Sequence, residues 1–281
     1  MGAMPPLRKL RHIFCCFFYI VCISAPIPSI ASEKFEAPKT AHFSVGIGWE
    51  ALKYSEHEPD LHLDSDAKVS NWTVGLDGFK QWTHVFCAFK SIIPVHRNND
   101  TEEWRVSDML TQQNSLEYGW TRIDTLLGYR LKPFFNPYLG FRWSDSKQER
   151  TDFVVTGTPV NNSSTEEVTS WFISLGIKGD ILLSPRWTLS YFGSYFEPIS
   201  SEVTNNNLPG WEASDTDGYA FEFEGQAEYA CSQSLSFVFT LYGGKMHWNG
   251  SDWTPYAGGS VKWPENDTRY MGCMLNVRWS F

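Results

Sequence analysis

The densest group of possible ligands is the run "YSEHEPDLHLDS" with the following Asp66 (residues 54–66). Glu56, His57, Glu58, Asp60, His62, Asp64 and Asp66 offer carboxylate oxygens and two imidazoles, a donor set suited to a divalent cation. His57, Asp60, His62 and Asp64 form its centre. The run lacks the glycine at position six and the bidentate glutamate at position twelve of a calcium loop. A solvated acidic segment is therefore the competing reading. A second acidic group, Glu222, Glu224 and Glu228 in "GYAFEFEGQAEY", lies at even spacing. It would place carboxylates on one face of an extended strand. Hydrolytic chemistry would need a histidine held by a carboxylate. The acids available for that are Asp100, Glu102, Glu103, Asp215 and Asp217, with His57, His62, His96 and His247 as possible partners. No Gly-rich phosphate loop, Gly-x-Ser-x-Gly elbow or His-Glu-x-x-His motif occurs.

The elements that must carry these groups alternate with a period of two. "FSVGIGW" sets Phe43, Val45, Ile47 and Trp49 against Ser44, Gly46, Gly48 and Glu50. In "GYAFEFEGQAEY" Tyr219, Phe221, Phe223, Ala227 and Tyr229 alternate with glutamates and Gln226, a separation that no 3.6-residue helix could make. About ten such segments follow one another from Phe43 to the terminal "RYMGCMLNVRWSF". Short connections are expected near 79–82, 132–137, 183–186 and 231–234. Long polar ones are expected at 54–67, 94–114, 151–168, 198–217 and 247–266. Strict alternation of short and long puts all the short turns at one end. Most segments reach the roughly 9–11 residues that a tilted strand needs to cross a bilayer. No stretch after the N-terminus is long and apolar enough for a helical span.

The N-terminus reads as an export segment. Arg8, Lys9, Arg11 and His12 precede the apolar run "IFCCFFYIVCI" and the small residues of "APIPSIAS", with cleavage after Ala31. The expected domains are a cleaved signal peptide, 1–31, and one barrel, 32–281. Cleavage removes Arg8, Lys9 and Arg11 and no acid, so the net charge moves from −9 to −12. This acidity argues against nucleic acid as a partner. The three remaining cysteines, Cys87, Cys231 and Cys273, are an odd and scattered set that argues against a disulfide framework.

On these features the chain resembles the Gram-negative outer-membrane β-barrel proteins: a signal peptide, alternating segments, and the terminal "NVRWSF". The expected fold is all-β, a single transmembrane antiparallel up-and-down barrel of about ten strands, with eight or twelve as alternatives. The resemblance implies export through the periplasm to the outer membrane, contact with outer-membrane lipid and lipopolysaccharide, and insertion by the barrel-assembly machinery. That machinery would read Leu275, Val277, Trp279 and Phe281. With the aromatic face outward, the interior would hold a charge network of Glu50, Asp77, His84, Lys90, Arg122, Asp124, Arg142, Lys178, Asp180, Glu222, Glu224, Glu228 and Arg278. Ten strands leave a narrow lumen, either a selective pore or a barrel plugged by its own ion pairs, with ligand-binding surface loops. The strand count is also that of the omptin proteases, so a rim-active hydrolase is the alternative. The fourth long segment, "GWEASDTDGY", lacks the omptin Asp-x-His motif, and no catalytic residue is assigned. No cofactor is expected apart from a divalent cation at 54–66, and the oligomeric state stays open.

Overall fold

Alternating side chains commit each segment to an extended strand, and each strand can satisfy its backbone only by pairing on both edges. In the computed structural model, which describes residues 40–214 and 216–281, this is met by a ring. The long strands are β1 (Ala41–Glu58), β2 (Leu63–Gln81), β3 (Val85–Arg97), β5 (Met109–Tyr129), β6 (Asn136–Val155), β8 (Ser164–Ser184), β9 (Trp187–Asn205), β11 (Gly218–Ala230), β12 (Leu235–Trp248) and β15 (Glu265–Ser280). Each pairs antiparallel with the next of these ten, and β15 pairs back with β1 through His42–Ser280 to His57–Glu265. Short strands extend this frame. β4 (Asn99–Val106) continues β3 between β2 and β5. β7 (Thr158–Val160) pairs with β6, and β10 (Glu212–Ser214) with β9. β13 (Thr254–Tyr256) and β14 (Gly259–Val261) form a hairpin of their own.

The short turns fall at one end, as the sequence suggests, at 82–84, 130–135, 185–186 and 231–234. The first two long connections do not survive as loops. Most of residues 54–67 belong to β1 and β2, closed by the single turn Pro59–Leu61 with His62 at φ 48°. Residues 94–114 are likewise mostly β3, β4 and β5, joined at Ser107 and Asp108, whose φ values of 49° and 67° make a primed hairpin turn. The strands run on past the point where hydrophobic alternation stops, because there both faces are polar. β5 and β8 reach 21 residues, about twice the span of a bilayer.

The faces separate as the alternation requires. Ile47, Trp72, Leu127, Phe141, Leu175 and Phe223 are exposed on the outer wall, while Ser44, Asn71, Thr73, Ser174 and Thr240 are buried inside. Trp49 stands opposite Trp72, and Trp143 opposite Trp171, in an outward tryptophan row that closes the apolar band toward the extended end. Apolar residues that broke the alternation in sequence prove to be lumen fillers. Phe86 packs inside with Ala88, Leu126 and Tyr138. Met274 covers Gly75, where any side chain would collide with its Sδ. Cys87, Cys231 and Cys273 are free thiols. The signal segment, 1–31, lies outside the described residues.

Candidate functional site

The inward charges of neighbouring strands meet by register. Asp124 and Arg142 are direct partners on β5 and β6. Arg142 donates from Nε and Nη2 to the two carboxylate oxygens at 2.6 and 2.9 Å, and from Nη2 to Glu222 Oε2 at 3.1 Å. Its guanidinium lies 3.9 Å from the Phe196 ring centroid. Lys90 reaches Glu222 at 3.2 Å and also pairs with Glu224, while the Tyr270 hydroxyl donates to Glu222 at 2.8 Å. Glu50 pairs with Arg122 from a non-adjacent strand, and both are 1% exposed. The Arg122 guanidinium sits between Trp120 and Tyr270, at 4.4 and 4.6 Å from their centroids. Such contacts stabilise a desolvated cation where hydrogen-bond partners are few.

Toward the short-turn end Arg278 collects Glu228 at 2.7 Å, Gln226 at 3.0 Å and Asp77 at 3.7 Å. Lys178 holds Asp180 at 2.5 Å beneath the Phe79 and Phe192 rings. Every acid in the interior network predicted above therefore has a cation beside it. His84 is the exception in placement. It lies in the 82–84 turn, exposed and stacked on Tyr129 at 5.9 Å, because the strand ends before its position. A space of about 20 Å³ near the Glu224 level, lined by Gly75, Lys90, Ser91, Thr240 and Asn276, has room for about one water.

A second interior cluster sits beyond the tryptophan row. Arg150 Nη2 donates to Glu56 Oε1 at 2.6 Å, and its Nε donates to Glu102 Oε2 at 2.7 Å. Glu166 accepts from Trp263 Nε1 at 3.0 Å, and the Tyr54 hydroxyl donates to Glu56 at 2.6 Å. Two buried carboxylates thus pair with one guanidinium, and a third, Glu166, lies within reach of its charge. Burial, together with the charges of Glu166 and Glu102, outweighs Arg150 and pushes Glu56 up to about 7. Burial also raises Glu166. Glu102 is buried as well, yet the charge and hydrogen bonds of Arg150 hold it below the usual carboxylate range. Trp211, Trp248 and Trp263 pack over this level, with Leu208, Tyr256 and Val261 against them, and the Tyr256 hydroxyl donates to Pro209 O at 3.1 Å. The segments preceding β11 and β15 so cap the lumen.

Of the proposed metal ligands, His57 and Asp64 come together, Nδ1 to Oδ1 at 2.5 Å, across β1 and β2 on the outer wall. Asp60 and His62 lie in and just after the turn above them. Among the described residues no group of three or more His, Cys, Asp or Glu side chains is arranged to hold a metal. A second His–carboxylate pair, His247 with Asp267 at 2.9 Å, also faces outward, on β12 and β15. Sequence reasoning missed it because its two members are twenty residues apart and only the register joins them. Of the rim acids, Glu102 is buried on Arg150, Glu103 pairs with Arg105, and Asp100 is exposed. His57, His62, His96 and His247 lie on the outer wall or in a turn, so a histidine facing acids across the rim is not assembled among the described residues.

Comparison with solved structures places this architecture among known barrels. The outer membrane protease OmpT from Escherichia coli matches with a TM-score of 0.67 at 8% identity, over 87% of this chain and 97% of that one. The translocator domain of the autotransporter NalP from Neisseria meningitidis matches over 98% of both chains, with a TM-score of 0.38 and 9% identity. Neisserial surface protein A matches with a TM-score of 0.35 at 11% identity, over 85% of this chain and 97% of that one. No protein-family model matches the sequence, and no curated protein does. The fold is that of outer-membrane β-barrels. At this identity the likeness carries the fold and nothing of the activity.

Proposed function

We propose that the chain is an integral outer-membrane β-barrel with a sealed lumen, working through its outer wall and extended end and not through a conducting pore. One observation carries this reading: the inward Arg142, Arg122 and Glu50, each 1% exposed, are joined into ion pairs that cross the lumen beneath an aromatic cap. An open channel would leave such groups hydrated. The outward apolar band with its tryptophan row suits a hydrocarbon slab with an aromatic border, and the closed ring of strands leaves no unpaired edge in lipid. Residues 1–31 serve as the secretory signal. The periplasmic end is then the short-turn end, and the strand extensions stand outside the cell.

In a planar bilayer the purified, folded protein is expected to give no stable conductance steps. Reproducible cation-biased steps that vanish on replacing Glu222 and Glu224 by glutamine would overturn the sealed-lumen reading.

The terminal residues Leu275, Val277 and Trp279 lie on the outward face of β15, and Phe281 follows it. In this reading they form the signal for the assembly machinery. Deleting Phe281 is expected to lower the amount of folded protein in outer-membrane fractions several-fold, with synthesis unchanged. Equal amounts would remove the signal from that residue.

A further inference from the structure

Like charges set directly opposite on adjacent strands repel, so natural sheets avoid them. On one wall of this barrel they are stacked side by side. Lys53 on β1 is the register partner of Lys68 on β2 and of Arg269 on β15, and Arg269 is the partner of Lys245 on β12. All four point outward. Lys245 is neutralised by Asp267 at 2.9 Å. Lys53, Lys68 and Arg269 are exposed, and none of them has an ion pair among the described residues. On the far wall at the same height the cation instead has an acid as its register partner, Lys147 opposite Glu167. There Lys147, four residues beyond Trp143, lies 2.6 Å from Glu149 and 3.9 Å from Glu167, and Arg97 lies 3.5 Å from Glu149.

The depth of the cationic row is fixed by its neighbours. Passing outward along β1, Val45, Ile47 and Trp49 are followed by Ala51, Lys53, Ser55 and His57. Along β2, Leu76, Val74 and Trp72 are followed by Ser70, Lys68, Asp66 and Asp64. Apolar band, tryptophan, small residue and cation succeed one another in step on both strands, and only β2 goes on to acids, Asp66 and Asp64. Ala51 and Ser70 face each other between the tryptophans and the lysines, and their small size leaves a hollow of about 450 Å³ bordered by Lys53, Lys68, Arg269 and Met271. A cation trio just above an aromatic border, around a hollow open to the side, matches a lipid headgroup whose acyl chains run down the apolar wall.

We infer that Lys53, Lys68 and Arg269 form a binding site for the phosphate-bearing headgroup of an outer-leaflet lipid, seated in the hollow over Ala51 and Ser70. The inference rests on the membrane-barrel reading above. It assigns work to one wall only, since the cations of the opposite wall are already paired.

The test uses the full folded barrel in neutral detergent, titrated at low salt with a bisphosphorylated glycolipid of the lipopolysaccharide type and with the same lipid dephosphorylated. Native mass spectrometry reads the bound fraction. The wild-type protein is expected to prefer the phosphorylated lipid. The triple variant Lys53→Gln, Lys68→Gln, Arg269→Gln should lose affinity on the order of 100-fold, and Lys147→Gln should lose none. Equal affinity of wild type and triple variant overturns the site, as does equal binding of the two lipids by wild type, a comparison that needs no variant to fold. Displacement of the lipid by inorganic phosphate at matching concentration overturns the lipid as its occupant. Retention of the wild type in bilayers after an alkaline wash separates the two readings. A barrel that washes out refutes the membrane assignment, whereas one that stays but ignores the phosphate refutes only the site.

Discussion

Replacing Arg142 by methionine is expected to cost about 3–5 kcal/mol of barrel stability, because it leaves two carboxylates buried without their guanidinium. Arg142 holds both oxygens of Asp124 and one of Glu222. Glu222 keeps Lys90 and the Tyr270 hydroxyl, so the larger share of the loss falls on Asp124. The double variant Arg142→Met, Asp124→Asn should therefore recover much of it, since neutralising the orphaned acid removes the uncompensated charge. Denaturant unfolding in micelles, followed by tryptophan fluorescence, measures both. A single variant within about 1 kcal/mol of wild type would mean that water reaches Asp124. The sealed lumen would then be wrong independently of any conductance record.

The second large effect changes with pH. Burial is the main reason that Glu56 titrates near 7 in the folded barrel, against 4.5 ordinarily. Between those values the folded protein holds a proton that the unfolded chain has released. The favourable contribution is complete below pH 4.5 and is lost as pH rises through about 7. The whole shift amounts to about 3 kcal/mol of stability. Glu56→Gln removes this titration while keeping an oxygen that can accept from Arg150 and Tyr54. The variant is expected to match wild type at pH 5 and to exceed it by up to about 3 kcal/mol at pH 8.5. Glu102 runs the other way, since its depressed value makes its contribution fall only under acid conditions, below this window. Unfolding curves at the two pH values check the prediction. A difference between the proteins that does not change with pH would mean that Glu56 is ionised throughout.

How much of this could be read in advance follows from where the hydrophobic period persists. β11 and β15 alternate cleanly, and their faces stand as the sequence places them. The order of short and long connections gave the ring of ten. Beyond the tryptophan row the signal fails, because Lys53, Ser55 and His57 outside are as polar as Glu56 and Glu58 inside. Pairing continues there while the pattern that advertises it is gone. Irregular registers hide faces as well: between Trp72 and Thr73 and between Trp171 and Phe172 the partner strand carries an extra residue. The inner aromatics Tyr54, Tyr118, Trp120 and Trp248 could not be told from outer ones by type alone. Nor could charge partners be named from one strand. Asp124 and Arg142 meet by adjacency, whereas Glu50 and Arg122 meet only because the ring closes and brings separate strands face to face.

The seal is built from side chains rooted in the wall itself, on β1, β3, β5, β6, β11 and β15, and not from a detachable domain lodged in the lumen. In the sealed-lumen reading, closure is thus independent of the hairpin turns at the extended end. The turns at 59–61, 107–108 and 156–157 can be lengthened, shortened or replaced without opening a leak. In that reading the turns of the extended end are free to change in sequence while the ion pairs of the wall keep the lumen shut.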